Sequence, residues 1–165
     1  MAKELIIIRH AKSDWGNANL SDFDRPLNKR GRTNAPEMAH RLVKQKIKPQ
    51  LIVSSNALRA ITTAKFFADT WQMPLDEIKQ EPRIYEANVR TLLEVVNKLD
   101  NKFDQIALFG HNPGLTDLVN YFDGHIDNMP TCSVVLLQFP FNDWAMASEG
   151  TAKVLLFDYP KSGED

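Results

Sequence analysis

Apolar residues fall along this chain in two rhythms. Short continuous runs, Leu5–Ile8, Leu51–Val53, Ile106–Phe109, Val134–Phe139 and Val154–Phe157, read as strands covered on both faces. A strand with one wet face would alternate instead. Between these runs, apolar positions recur at helical spacing. Ala35, Met38, Ala39, Leu42 and Val43 form one stripe, and Ala57, Ala60, Ile61, Ala64, Phe67, Ala68 and Trp71 a second. Val89, Leu92, Leu93, Val96 and Leu99 form a third, and Leu115, Leu118, Val119 and Phe122 a fourth. Strands alternating with helices predict a three-layer α/β/α fold with a mainly parallel central sheet. The last two runs have no helix between them. They predict an antiparallel C-terminal strand pair joined through the Phe141–Gly150 loop. Asn28 and Asn34 are both candidate caps for the first helix, which Pro36 either starts or kinks. No repeat or composition shift divides the chain, so residues 1–165 read as one domain with a frayed polar tail at 161–165.

The polar residues that end the strands carry the candidate chemistry. Leu5–Ile8 runs into Arg9-His10, and Leu51–Val53 into Ser54-Ser55-Asn56, with Arg59 one helical turn on. Ile106–Phe109 runs into Gly110-His111-Asn112-Pro113-Gly114. In an open parallel sheet the ligand crevice lies at the carboxyl ends of the strands. Three distant segments thus deliver Arg9, His10, Arg59 and His111 to one edge, where cations beside helix N-termini make an anion pocket. If Asn56 caps its helix, Arg59 sits in the first turn, where the macrodipole disfavours a cation. A bound phosphate would reverse that penalty, and a surface carboxylate partner is the plainer alternative. His10, with an ordinary imidazole pKa of about 6.5, can be a nucleophile at phosphorus near neutrality. Asn112 or His111 stands near the cap of the next helix, with Pro113 at its first position.

Composition bounds this picture. The chain is 43% hydrophobic and 25% charged, with a formal net charge of −1, so no basic field points to nucleic acid. The four-residue run Leu5–Ile8 is far too short for a membrane span or a signal core, and a cytoplasmic protein is expected. One cysteine, Cys132, excludes an intrachain disulfide and a cysteine-rich zinc site, and reads as a small buried hydrophobe. No spacing suits zinc or magnesium. No cofactor is expected, since arginines can supply a metal's electrostatics.

These residues resemble the histidine phosphatase, or phosphoglycerate mutase-like, superfamily. The carriers are Arg9-His10-Ala11, the stretch Ser54-Ser55-Asn56-Ala57-Leu58-Arg59-Ala60 with Thr62, Thr63 and Ala64, Tyr85-Glu86-Ala87, and Gly110-His111-Asn112. The short length, Ala11 in place of the commoner glycine, and Asp24-Arg25-Pro26-Leu27 with Gly31 look most like the SixA-type phosphohistidine phosphatases. The resemblance implies a metal-independent phosphatase with His10 as the phosphate-accepting nucleophile. Arg9, Arg59 and His111 would complete the phosphate pocket, with Arg25 closing over it and Asn112 counted among the phosphate-binding residues. Glu86 is the candidate proton donor, with Asp14 and Asp24 as weaker alternatives. The implied substrate is phosphohistidine on a protein. A small phosphomonoester is the alternative, and a non-catalytic phosphate-binding adaptor the rival class. Oligomeric state is not legible.

Other features read plainly. Asp22-x-Asp24 resembles an aspartyl-nucleophile motif but follows no buried strand. His40 reads as a helix-surface or packing histidine, His125 as a turn residue and Trp71 as core. Trp15 reads as a pocket-rim or packing residue, and Trp144 stays unassigned.

Overall fold

In the computed structural model, residues 2–160 are described, and the tail at 161–165 lies outside them. Six strands form one sheet: β1 (Glu4–Arg9), β2 (Leu51–Ser54), β3 (Lys79–Gln80), β4 (Gln105–Gly110), β5 (Val134–Gln138) and β6 (Lys153–Asp158). Their order is β3-β2-β4-β1-β5-β6. The first four are mutually parallel, and β5 runs antiparallel to both β1 and β6. The expected α/β architecture and the antiparallel C-terminal pair are both present.

Four helices cover the sheet: α1 (Lys29–Lys44), α2 (Leu58–Thr70), α3 (Val89–Asn97) and α4 (Gly114–Asp123). Successive side chains of β1 point to opposite faces. Ile6 and Ile8 pack with Met38 and Leu42 of α1 and with Ala64 and Phe67 of α2. Leu5 and Ile7 pack with Leu92 and Val96 of α3 and with Leu115 and Leu118 of α4. This two-sided burial is why β1 is apolar without interruption. The run at β6 behaves differently. It is one of the sheet's two outer strands, and Leu155 is exposed there.

Helix starts correct the sequence reading in two places. Asn28 caps α1 by accepting from the Gly31 N–H, and Pro36 lies inside the helix. A proline there removes the bond to the carbonyl four residues back. Packing of Ala35, Met38, Ala39 and Leu42 against the sheet holds α1 continuous across the gap, while Val43 faces outward. Asn56 does not cap α2. Ala57 is the capping residue, and the Ser55 hydroxyl accepts from its N–H at 3.2 Å. Pro113 precedes α4 rather than opening it, and the Asn112 Oδ1 accepts from the Thr116 N–H and hydroxyl. Gly31 has a packing reason. A β-carbon there would stand 2.2 Å from the Lys12 carbonyl oxygen, so only glycine lets α1 close against the segment after β1. No helix among the described residues is long and apolar enough to cross a membrane.

Candidate active site

Register brings the strand ends together. Arg9 pairs with Gly110 across β1 and β4, the His10 N–H donates to the Gly110 carbonyl at 3.0 Å, and the Ser55 N–H donates to Phe109 at 3.0 Å. His10 and His111 consequently lie side by side, with ring centroids 5.2 Å apart. Both histidines, Arg9, Arg25, Arg59, Glu86 and Asn112 line one pocket of about 640 Å³. Asp14 and Asp24 lie elsewhere. Asp14 accepts from the Gly16 N–H, and Asp24 from the Ser21 hydroxyl.

The orientation of His10 follows from one bond. Its Nδ1 lies 2.7 Å from the Ala11 carbonyl oxygen, which can only accept. Nδ1 therefore carries the proton, and Nε2 is left with its lone pair. Burial, opposed by that carbonyl bond and reinforced by His111, Arg59 and Arg9, holds His10 far below the usual imidazole range, at about 3. The ring is neutral at physiological pH. The backbone beneath it is fixed from α2. The Ala11 N–H donates to the Thr63 hydroxyl at 3.0 Å, and that hydroxyl donates to the Arg59 carbonyl at 2.8 Å.

His111 is held from the other side. Its Nε2 lies 2.7 Å from the Ser55 Oγ, while its buried Nδ1 has no protein partner. Burial, then the field of Arg59, holds it near 4. Arg9 donates to the Met129 carbonyl at 2.8 Å, and its Nε and that of Arg59 are buried without partners. Burial and the neighbouring Arg59 both lower the Arg9 pKa.

Asp22, read from sequence only as part of a dismissed motif, organises the cations. Its carbonyl and carboxylate accept from Arg59 at 2.6 and 3.0 Å, and its second oxygen accepts from the Arg25 Nε at 3.1 Å. The Tyr85 hydroxyl donates to it at 2.6 Å. That hydroxyl bond, with both arginines, holds the carboxyl at about 2, and burial beside it pushes Tyr85 up to about 12. Arg59 thus does have a carboxylate partner, but the pair joins a buried guanidinium in the pocket to a half-exposed carboxylate. Arg25 is further held by the Ser13 hydroxyl at 2.5 Å and lies 3.4 Å from the Trp15 ring centroid. Tyr85 also meets the His111 ring edge-on at 5.5 Å. Asp22, Ser55 and Tyr85 are the site residues that sequence reasoning missed. The quoted Ser-Ser-Asn and Tyr-Glu-Ala stretches were the available signal.

Glu86 is exposed at the rim, with φ +56°, a left-handed conformation costing a non-glycine residue about 1–2 kcal/mol. Among the described residues no group of three or more His, Cys, Asp or Glu is arranged to hold a metal ion. The cations lining the pocket are guanidinium groups.

The sequence model of the histidine phosphatase superfamily (branch 1) matches residues 5–112. The chain belongs to that superfamily. An uncharacterised chloroplastic protein of Arabidopsis thaliana is 30% identical over 159 residues, covering 89% of this chain and 71% of that one. A 2,3-bisphosphoglycerate-dependent phosphoglycerate mutase of an Arthrobacter strain is 31% identical over 94 residues, 56% of this chain and 38% of that one. Among solved structures, SixA of Agrobacterium tumefaciens, assigned as a phosphohistidine phosphatase, superposes with TM-score 0.81 at 23% identity, covering 97% of this chain and 99% of that one. A protein histidine phosphatase SixA complexed with tungstate gives 0.80 at 22%, covering 95% and 97%. These likenesses establish the shared phosphoglycerate mutase-like fold.

Proposed function

We propose that this chain is a phosphatase that works through a covalent phosphohistidine on His10, with phosphohistidine on a protein as its substrate. The observation that carries the reading is a buried, neutral His10 whose Nε2 has no protein partner, in a pocket that two flanking arginines and a second histidine also line. Nε2 attacks phosphorus, the bond to the leaving group breaks, and its electron pair departs with that group. Water then cleaves the phosphoenzyme to orthophosphate. Arg9 and Arg59 donate to the equatorial oxygens as charge redistributes, and Arg25 closes over them. With the Ser55 hydroxyl donating to His111 Nε2, the His111 Nδ1 carries a proton and is a further donor. Asn112 holds the loop, since its side-chain amide donates to the Met129 carbonyl that also receives Arg9. A protein histidine phosphatase SixA of the same fold is complexed with tungstate, an oxoanion, which supports the phosphatase reading. The lone buried Cys132 is compatible with a reducing, cytoplasmic setting.

Glu86 is the proton donor for ester substrates. An alkoxide needs a proton as it leaves, whereas an imidazole already protonated on its other nitrogen leaves as the neutral ring. Glu86→Gln is expected to depress phosphomonoester turnover more than phosphohistidine turnover, and equal losses would remove the role. The direct test is labelling with radioactive phosphate. Wild-type enzyme traps label on quenching and His10→Ala traps none. Label retained in His10→Ala overturns the assignment. Phosphate binding without turnover of any phosphorylated compound would favour the adaptor instead. A small-molecule phosphatase stays as a second reading, because the pocket is roomy enough for a sugar phosphate.

A further inference from the structure

We infer that Asp117 and Glu86 form an acidic outer wall of the pocket that selects substrates whose leaving group is cationic, against substrates carrying a second anionic group. This rests on the phosphatase reading above. The class includes phosphoramidates of protonated bases and phosphate esters of amino alcohols, and it disfavours carboxylated phosphates.

Two observations fix the wall. Asp117 lies one turn into α4, and Glu86 in the turn before α3; both line the pocket. Their segments touch at Gly114. A β-carbon there would stand 2.4 Å from the Ala87 carbonyl oxygen and 3.0 Å from Leu92, so only glycine permits the approach. The approach of the two backbone segments that carry Glu86 and Asp117 is set by this contact.

Their partners separate them from Asp22. Asp22 is occupied by Arg59, Arg25 and Tyr85. Among the described residues, neither Glu86 nor Asp117 has a side-chain hydrogen bond or ion pair. Each cation lining the pocket is already held: Arg9 by Met129, Arg25 by Asp22 and Ser13, Arg59 by Asp22. The pocket is therefore cationic at the histidines and acidic outside them. Beside a phosphate site the Asp117 carboxylate, and that of Glu86 once it has given its proton to a leaving oxygen, repel the phosphate itself. A positive charge on the leaving group offsets this, and a carboxylate on it adds to it.

For a phosphoryl group on a ring nitrogen, the wall accepts the hydrogen bond of the ring's other N–H and keeps the ring protonated. His10 Nε2 then bonds to phosphorus as the phosphorus–nitrogen bond breaks. The electron pair stays on the departing nitrogen, and the ring leaves neutral with its remaining proton.

The experiment compares O-phosphoethanolamine with 3-phosphoglycerate, by kcat/KM in the wild type and by calorimetric binding to His10→Ala. Each exposed charge pair changes affinity by up to about fivefold, so attraction in one substrate and repulsion in the other multiply to about a tenfold preference or more. Asp117→Asn is expected to reduce that preference several-fold, Asp117→Glu to retain it, and 1 M salt to collapse it. If Asp117 serves only the dipole of α4, stability falls in Asp117→Asn but the preference does not move, and the inference fails. A wild-type preference near unity also overturns it. Because His10→Ala reads binding alone, these outcomes are separable from failure of His10 as the nucleophile.

Discussion

The two ends of β1 each bury a cation, and they treat it in opposite ways. At the N-terminal end Lys3 is 1% exposed, and its ammonium donates to the Asn101 and Phe103 carbonyls and to Asp104. Trp144, fully buried, lies under it and donates its own indole N–H to Phe103. At the C-terminal end stand Arg9, Arg59 and two neutral histidines. Among the described residues four buried side-chain polar atoms have no partner: Arg9 Nε, Arg59 Nε, His111 Nδ1 and Ser133 Oγ. All four lie at this end, since the Ser133 carbonyl receives the Arg9 N–H. A buried polar group left unmatched costs about 1–3 kcal/mol. The fold matches Lys3 in full and leaves these four atoms unmatched, and three of them belong to Arg9, Arg59 and His111, which line the pocket.

Removing a cation from each end breaks the comparison most sharply. Arg59→Ala is expected to lower kcat/KM by about 10²–10³-fold, the usual effect of deleting one donor to a developing oxyanion. Stability should change little, because its partner Asp22 is half exposed. Lys3→Met should do the reverse. It leaves Asp104 and the Asn101 carbonyl without this donor, though Phe103 keeps the Trp144 indole, costing about 1–3 kcal/mol in urea unfolding, while kcat/KM stays within about twofold. Parallel losses of activity and stability in both variants would dissolve the distinction.

Acid sharpens it. An unfolded histidine titrates near 6.5, while burial holds His10 at about 3 and His111 at about 4. Above pH 6.5 both rings are neutral in either state, and this contribution to stability is fully present. Below 6.5 the unfolded chain binds protons that the folded chain refuses. Stability then falls toward the folded values, by up to about 1.4 kcal/mol per pH unit for each histidine. His111→Gln should remove one proton from that slope between pH 6 and 4, read from urea midpoints. An unchanged slope would mean that His111 is not held neutral.

The comparison also shows what was legible in the sequence. Uninterrupted apolar runs ending in Arg-His and Gly-His were readable because parallel strands buried on two faces leave no other pattern. The strand β3 was not, since Lys79 and Gln80 are exposed at the sheet edge and carry no apolar signal. The Asn28 cap was one of two open options, and its bond to Gly31 decides between them. Asn56 looked equally suitable, but Ser55 turns its hydroxyl to the helix start and to His111 at once. Asp22 was out of reach. Its partners Arg59 and Tyr85 are 37 and 63 residues away, and only the folded chain makes them neighbours.

The smallest expected effect lies on the pocket rim. Trp15 is 77% exposed, an unusual placement for an indole, and the guanidinium of Arg25 rests over its ring at 3.4 Å. Arg25 is already fixed at its Nε by Asp22 and at one terminal nitrogen by Ser13. Stacking therefore adds only the plane of the group, worth about 0.5–1 kcal/mol at an exposed site. Trp15→Ala should accordingly raise KM for phosphorylated substrates about two- to fivefold, with the loss falling in KM more than in kcat. Phosphate inhibition should weaken by the same factor, because Arg25 meets product and substrate alike. A loss falling instead on kcat would mean that Arg25 tightens on the phosphoryl group only during transfer. Arg25 would then stand with Arg9 and Arg59 as a partner of the transition state rather than a cover over the bound anion.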